Sequence, residues 1–259
     1  MGRDAAEEGG TSRRARLYRV SAVVVRQRDL GEADRIVVLY TCDRGKLSAV
    51  AKGVKRPRSK MAGGLQLFTH AEILLAVGRT LEVITQVRPV DAFYQLRTDL
   101  TRFAHASYAV ELLDVLTEEH APDPELFALL LAVLHGLNTA GDPATLLRGF
   151  ELKLLTRLGY GPELETCVSC GTEVEGGSIG FATAEGGVVC ARCVTALGLG
   201  TISANALRAM RDLVRMAPEQ LARRKLSRAA REEVARIMRT FVDYQLPRRL
   251  RSAEFLNGM

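Results

Sequence analysis

The chain has 259 residues, 47% of them apolar and 25% charged, with a formal net charge of +6, five cysteines and no tryptophan. That is enough apolar material for one large or two small packed domains, and it excludes wholesale disorder, a collagen-like repeat and a disulfide-stapled mini-protein. No run approaches 18 consecutive apolar residues, so no membrane-spanning helix is expected. Residues 1–16 scatter Arg3, Arg13, Arg14 and Arg16 among Asp4, Glu7 and Glu8 without an apolar block, which reads as a disordered extension rather than a secretory signal. A soluble, cytosolic protein is the expectation.

Charge divides along the chain. Residues 1–90 hold 17 Lys/Arg against 9 Asp/Glu, residues 91–200 hold 6 against 15, and residues 201–259 hold 13 against 6. Two basic segments flanking an acidic middle point to polyanion contact through the ends, with solvated surface charge as the competing explanation.

The first segment alternates with the period of short strands. Tyr18, Val20, Ala22 and Val24 interleave with Arg19 and Ser21, although Val23 and Val25 make both faces apolar further on. Ile36, Val38 and Tyr40 follow the turn Gly31-Glu32-Ala33-Asp34, and Leu47, Ala49 and Ala51 follow Asp43-Arg44-Gly45. Ala71, Ile73, Leu75 and Val77 then pair with Leu81, Val83, Thr85 and Val87 across Gly78-Arg79-Thr80, a hairpin signal. Five strands with a long basic loop after the third predict a closed barrel of the oligonucleotide-binding type (OB-fold) over 17–90, with a five-stranded open sheet as the alternative.

Beyond Pro89 the period becomes 3.6, predicting an overall α+β chain whose second part is a helical domain. Leu96, Leu100, Phe103, Ala106, Val110 and Leu113 form one helical stripe. Asp123-Pro124-Glu125 is a helix start, opening a helix over 126–137 that is apolar nearly all round and so belongs in the centre of a bundle. Asp142-Pro143 opens a third, with Leu147, Phe150, Leu154 and Leu158, which Gly159-Tyr160-Gly161-Pro162 ends. Two further helices are expected at 203–216 and 227–244. The helical domain is thus read as 91–162 and 201–259, interrupted by a glycine-rich segment, 163–200.

That segment carries Cys167-Val168-Ser169-Cys170, 19 intervening residues, then Cys190-Ala191-Arg192-Cys193. Two such pairs at this separation are the ligand spacing of a four-thiolate zinc site, with a short hairpin through Phe181-Ala182 and Gly186-Gly187-Val188-Val189 bringing them together. Four thiolates leave no open coordination position, so one structural zinc is expected, with free or disulfide-bonded cysteines as the alternative. Cys42, with no histidine nearby in sequence, reads as a buried structural thiol.

A second signal is basic. Residues 44–60 contain Arg44, Lys46, Lys52, Lys55, Arg56, Arg58 and Lys60 and, from Arg44 onward, no acid. On a barrel of this type such a loop lies at the rim of the binding face, where cations track phosphates, and Arg26, Arg28 and Arg35 on the preceding strands extend the patch. The nearby aromatics are few, Tyr18, Tyr40 and Phe68, which favours backbone binding over base readout. A third basic run, Arg208, Arg211, Arg215, Arg223, Arg224, Lys225, Arg228 and Arg231, either adds phosphate contacts or solubilises two helices. There is no phosphate loop, no G-x-G-x-x-G and no H-E-x-x-H, and His105 and His135 read as helix packing residues.

The order of these parts, with specific strings, resembles the bacterial recombination mediator family RecO from about residue 17 to about 250. The strings are Tyr18-Arg19-Val20, Gly31-Glu32-Ala33-Asp34-Arg35-Ile36-Val37, Gly45-Lys46-Leu47 leading to Lys52-Gly53-Val54-Lys55-Arg56, Leu67-Phe68, and Leu158-Gly159-Tyr160-Gly161-Pro162 ahead of Cys167. The resemblance implies a non-enzymatic DNA repair and recombination protein, cytoplasmic and nucleoid-associated. Such a protein binds single- and double-stranded DNA without sequence preference and anneals complementary strands. It engages the C-terminal tail of single-stranded DNA-binding protein and, with the partner RecR, helps place RecA on covered strands. Carried over residue by residue, it puts Lys46, Lys52, Lys55 and Arg56 on DNA. Arg97, Arg102, Arg148 and Lys153, four of the helical region's five cations before the cysteine module, become candidates for the tail pocket. The competing readings are a zinc-containing, sequence-specific regulator, for which Val194-Thr195-Ala196-Leu197 is a poor recognition segment, and a zinc-dependent nucleic-acid hydrolase, which a closed four-cysteine site disfavours.

Overall fold

The computed structural model describes residues 16–139 and 142–257; the disordered extension expected over 1–16 lies, except for Arg16, outside the described residues. Five strands come first: β1 (Leu17–Leu30), β2 (Asp34–Thr41), β3 (Gly45–Ala51), β4 (His70–Ala76) and β5 (Glu82–Asp91). They close into a barrel in the order β1-β2-β3-β5-β4, with only β3 and β5 parallel, through Ala49 opposite Glu82 and Val50 opposite Val83. Closure leaves no sheet edge unpaired.

The doubly apolar stretch of β1 has a direct explanation. Val20, Ala22 and Val24 point into the barrel, where they meet Val37, Leu39, Leu47, Ile73 and Leu75. Val23 and Val25, with Val38 and Tyr40 of β2, point outward and form one continuous core with the helices. The barrel is therefore buried on two sides of the same sheet.

The helices are α1 (Gln95–Thr98), α2 (Leu100–Leu116), α3 (Pro124–Thr139), α4 (Pro143–Arg157), α5 (Ala191–Leu197), α6 (Ala204–Arg215), α7 (Pro218–Leu221), α8 (Arg228–Gln245) and α9 (Arg251–Asn257). The single stripe expected from Leu96 onward is broken at Asp99, whose extended backbone (φ −111°, ψ 120°) and side chain, accepting from Arg102 N, cap a new helix. Leu96 is buried in α1 while Leu100 is left exposed. The two Asp-Pro starts stand where expected: Asp123 accepts from Leu126 N at 3.0 Å and Asp142 from Thr145 N at 3.2 Å. Helix α3, expected at the centre of the bundle, buries eight residues against α2, α4 and α7 but leaves Ala128 and His135 exposed; the central helix is α4, which packs against α2, α3, α6, α7 and α8. Tyr244, expected on the apolar side of α8, is exposed.

Barrel and bundle are locked by a lysine. Lys46, on β3, is 8% exposed, and its Nζ donates to the carbonyls of Asp114 (2.5 Å) and Thr117 (2.6 Å) at the C-terminal end of α2 while pairing with Asp114 Oδ1 at 3.2 Å. Arg26 takes the other carboxylate oxygen of Asp114 at 3.1 Å. A cation at a helix C-terminus meets the unsatisfied carbonyls and the negative end of the dipole. Gly45 (φ 65°) lets the β2–β3 turn approach Ala121 so closely that a Cβ there would collide with its carbonyl. Deleting one partner of a buried pair costs about 3–5 kcal/mol, and Arg26 remaining on Asp114 keeps Lys46→Ala near the lower end. The variant is expected to melt roughly 6–12 °C below the parent; an unchanged melting curve would remove Lys46 from this role.

Candidate nucleic-acid interface and metal centre

The basic loop between β3 and β4 is held in place from both ends. Val54 and Leu65 are buried in the barrel core, and a short 3₁₀ turn (Gly63–Leu65) returns the chain to β4. Its first turn is pinned to the β1–β2 hairpin: Gly53 N donates to Asp34 Oδ1 at 2.7 Å and Lys55 N to the Ala33 carbonyl at 3.0 Å. Gly53 adopts φ 64°, a conformation that suits glycine. The Gly31-Glu32-Ala33-Asp34 string is thus the buttress of the loop.

The predicted DNA-contacting cations fall into three groups. Lys52, Arg56, Arg58 and Lys60 are exposed and, among the described residues, pair with no carboxylate. Lys55 and Arg35 both bind Asp29, at 2.9 and 3.1 Å, and Arg35 also donates to Gln27 at 2.8 Å; this cluster holds the loop against β1 and keeps one net positive charge. The Lys55 and Arg35 hydrogen bonds hold the Asp29 carboxyl below its ordinary range. Arg26 is largely exposed but leans on Asp114. Lys46 corrects the expectation drawn from the sequence, because its ammonium is consumed by the end of α2 and does not reach solvent. Spacing in the basic run could not separate it from its neighbours; the period of β3 turns Leu47, Ala49 and Ala51 inward and Lys46 and Ser48 outward, and could not say that a helix end waits opposite the outer face. Of the aromatics weighed as stacking platforms, Tyr40 and Phe68 are fully buried, and Tyr18 lies under the Arg44 guanidinium, 4.9 Å from ring centroid to Cζ.

The C-terminal arginine run also divides. Arg211 donates to the carbonyls of Leu164 (2.6 Å) and Val174 (2.7 Å), Arg215 pairs with Glu165, Arg224 with Asp212, Arg228 with Glu232 and Arg231 with Asp142. Arg211 is therefore the strut that fixes the cysteine module to α6. Among the described residues Arg208, Arg223 and Lys225 pair with no carboxylate.

The cysteine module is a three-stranded sheet, β7 (Gly187–Val189), β6 (Ile179–Ala182) and β8 (Thr201–Ile202), with Cys190 at the N-cap of α5 and Cys193 in its first turn. The expected hairpin is β6–β7, and its return strand is stitched to the first pair by Val168 N donating to the Val188 carbonyl at 2.9 Å. The four Sγ atoms of Cys167, Cys170, Cys190 and Cys193 lie within 4.8 Å of one another, and Cys170 and Cys190 are 3.7 Å apart. Sulfurs on a tetrahedral ion with bonds of about 2.3 Å are separated by about 3.8 Å, so the donor set fits a single metal ion. The electrostatics agree. The Thr172 side chain and backbone pull the Cys170 thiol down to about 5, whereas at Cys193 the pull of Ser169 is outweighed by burial and by the other three thiols, which push it up to about 11. Sulfurs this close ionise together only around a cation. Cys42 stands apart, half-buried against the core. His105 is buried with Nδ1 2.7 Å from the Thr101 carbonyl, and His135 lies edge-on to Phe93 at the domain boundary.

Two of the four cations named for a tail pocket line cavities. Arg148 and Arg239 share a pocket of about 410 Å³ with Tyr108, Leu147, Ala253 and Leu256, and Arg148 is backed by the buried Glu151 at 2.8 Å. Burial pushes the Glu151 carboxyl up against the pull of Arg148. Lys153 borders a second cavity of about 420 Å³ but donates to the Val214 carbonyl at 2.5 Å. Arg97 and Arg102 are spent on main-chain carbonyls of Leu67 and Leu137.

These features define a class: an oligonucleotide-binding-type closed barrel fused to a helical domain that carries a module of four cysteines arranged to hold a metal ion. Two family models cover nearly all of it, "Recombination protein O N terminal" over residues 15–93 and "Recombination protein O C terminal" over 97–254. The chain is 42% identical to "DNA repair protein RecO" of Symbiobacterium thermophilum over 249 residues, covering 94% of this chain and 98% of that one. It is 39% identical to the protein of the same name from Roseiflexus sp. strain RS-1 (95% and 87% covered) and 34% identical to that of Desulforamulus reducens (94% and 95%). The chain belongs to the RecO family of DNA repair proteins. Among the described residues no helix is long and apolar enough to cross a membrane.

Proposed function

We propose that this chain is a non-enzymatic recombination mediator. It holds single- and double-stranded DNA by their phosphates, anneals complementary strands and, together with RecR, helps load RecA on DNA covered by single-stranded DNA-binding protein. It works in the cytoplasm, on nucleoid DNA. The observation that carries the reading is the loop bearing Lys52, Arg56, Arg58 and Lys60, exposed, without acid partners among the described residues, and anchored on a closed barrel. Fixed cations beside aromatics that are buried (Tyr40, Phe68) or covered by a guanidinium (Tyr18) bind backbone and leave base edges free, which is what pairing with a second strand requires.

The pocket of Arg148 and Arg239 suits the acidic C-terminal tail of single-stranded DNA-binding protein, because the exposed Arg239 offers a guanidinium to a carboxylate while Leu147, Ala253 and Leu256 offer an apolar wall; Arg148, held by Glu151, sets the floor. The four thiolates hold one zinc, which ties the two halves of the module together and, lacking an open position, activates no water.

The test is annealing of complementary oligonucleotides coated with single-stranded DNA-binding protein, followed by fluorescence without nucleotide. Duplex formation by the parent chain, with competition by random DNA as effective as by any defined sequence, is the expected result. Tight binding to one duplex with no annealing would replace the mediator by a sequence-specific regulator.

A further inference from the structure

The C-terminal end of the chain reaches back to the barrel. Helix α9 is capped by a carboxylate from another helix: Glu111 of α2 accepts from Arg251 N (3.2 Å), Ser252 N (2.8 Å) and Ser252 Oγ (2.5 Å), while Leu250 is buried. This fixes the segment beside β1, where two cavities adjoin. One, of about 630 Å³, lies between barrel and bundle; the other, of about 410 Å³, lies over the outer face of β1, β2 and β3, with Ile36, Val38 and Leu81 in its walls. Both are bordered by Arg26, Gln27 and Arg251, so they form one groove.

The groove's charge is one-sided. Arg26, Arg28, Arg248 and Arg251 line it, and all four are exposed. Its two carboxylates are used up internally: Asp114 is buried under Lys46 and Arg26, and Glu111 caps α9 and meets Arg248 at 3.5 Å. Arg28 and Arg251 pair with no carboxylate among the described residues. An extended polyanion is the ligand that suits an elongated trough with cations on both sides and acids turned away.

The geometry points to a single-stranded nucleic acid running from the basic loop across the outer face of β1–β2–β3 and into the cleft beneath α9, with Arg28 on the barrel and Arg251 from the far end of the sequence supplying phosphate contacts. This rests on the reading of the loop as a DNA-binding element and extends its track. The C-terminal segment, joined to the bundle through Glu111, is then part of the nucleic-acid site rather than only a structural closure.

The experiment compares three full-length proteins for binding of a fluorescent oligothymidylate over a salt series: the parent, Arg28→Ala/Arg251→Ala, and Lys52→Ala/Arg56→Ala. Each lost phosphate contact lowers the salt slope for a single strand by about 0.7. The groove variant should therefore lose about 1.4 in slope and about 25-fold in affinity at 0.1 M salt. A photo-crosslinking phenylalanine analogue at position 251 should also capture the oligonucleotide, a readout that a loss of folding could not produce. Unchanged slope and affinity in the groove variant, with binding weakened in the loop variant, would overturn the track and leave the loop reading standing. Binding unchanged in both variants would overturn the loop reading itself. Loss of polyglutamate binding, but not of oligothymidylate binding, in the groove variant would make the groove a protein site and end the proposal.

Discussion

Replacing Lys52, Arg56, Arg58 and Lys60 together by alanine is expected to reduce affinity for single-stranded DNA about a thousandfold at 0.1 M salt and to lower the salt slope by about 3. The arithmetic follows from counterion release: each cation on a single-strand phosphate contributes about 0.7 to the slope, and at a tenth of a molar each such contact is worth about 0.7 decades of affinity. Four contacts give nearly three decades. The fold should be indifferent, because these side chains are exposed and the loop is held by Val54, Leu65 and the backbone bonds to Asp34 and Ala33. Glutamates at the same positions should do worse than alanines, since repulsion is added to lost attraction. Lys55→Ala is the informative contrast. Its ammonium shares Asp29 with Arg35, so removing it leaves Asp29 to Arg35 alone and takes away the cluster's surplus charge, and its effect should come partly through loop order. Fluorescence anisotropy across salt, with circular dichroism as the check on folding, measures both. A quadruple variant that bound as the parent does would move the DNA site off the barrel loop.

Much of this architecture was legible because the signals were local. Alternation over residues 18–24 and 71–75, the Asp-Pro helix starts and the spacing of the two cysteine pairs each depend on neighbours within a few residues, and each stands where the sequence put it. Past the hairpin the period slips, because an irregularity at Leu74/Leu75 pairs Leu75 with Ile84 and buries Ile84 in place of Val83 and Thr85. What could not be read depended on partners far along the chain. Nothing near Lys46 indicates that the end of α2 lies opposite it, 68 and 71 positions away at Asp114 and Thr117. Arg211 looked like one of eight similar cations until Leu164 and Val174 were seen to offer it carbonyls. The same is true of α9, a short helix whose cap, Glu111, is 140 residues upstream. The break at Asp99 was within reach: an aspartate followed three residues later by a helical amide is an N-cap signal, and the apolar periodicity on either side masked it. Charge runs misled for a simple reason. A cation is available to a ligand only if the fold has not already paired it, and pairing is a tertiary fact.

Removing the metal is expected to unravel the cysteine module while leaving the barrel intact. Within the module, regular structure is sparse, with strands of four, three and two residues and a seven-residue helix, so short-range hydrogen bonds alone cannot hold it. Its apolar residues, among them Ile179, Val188 and Val194, share the large helical core, and Phe181 stacks edge-on against Phe241 of α8. Zinc binding to four thiolates contributes about 10–16 kcal/mol in small zinc modules. Chelation, or Cys193→Ser, should therefore lower the melting temperature by roughly 10 °C or more and abolish amide protection over residues 163–200 and on the Arg211 face of α6. Protection in β1 to β5 should persist, since their closure and the Lys46 lock involve no residue of the module. Oligothymidylate binding should survive chelation for the same reason. Metal analysis should return one zinc per chain before treatment. A chain that releases its metal with no change in melting or protection would show that packing, not the ion, holds the two cysteine pairs together, and the four sulfurs would then need another reason for lying within 4.8 Å of one another.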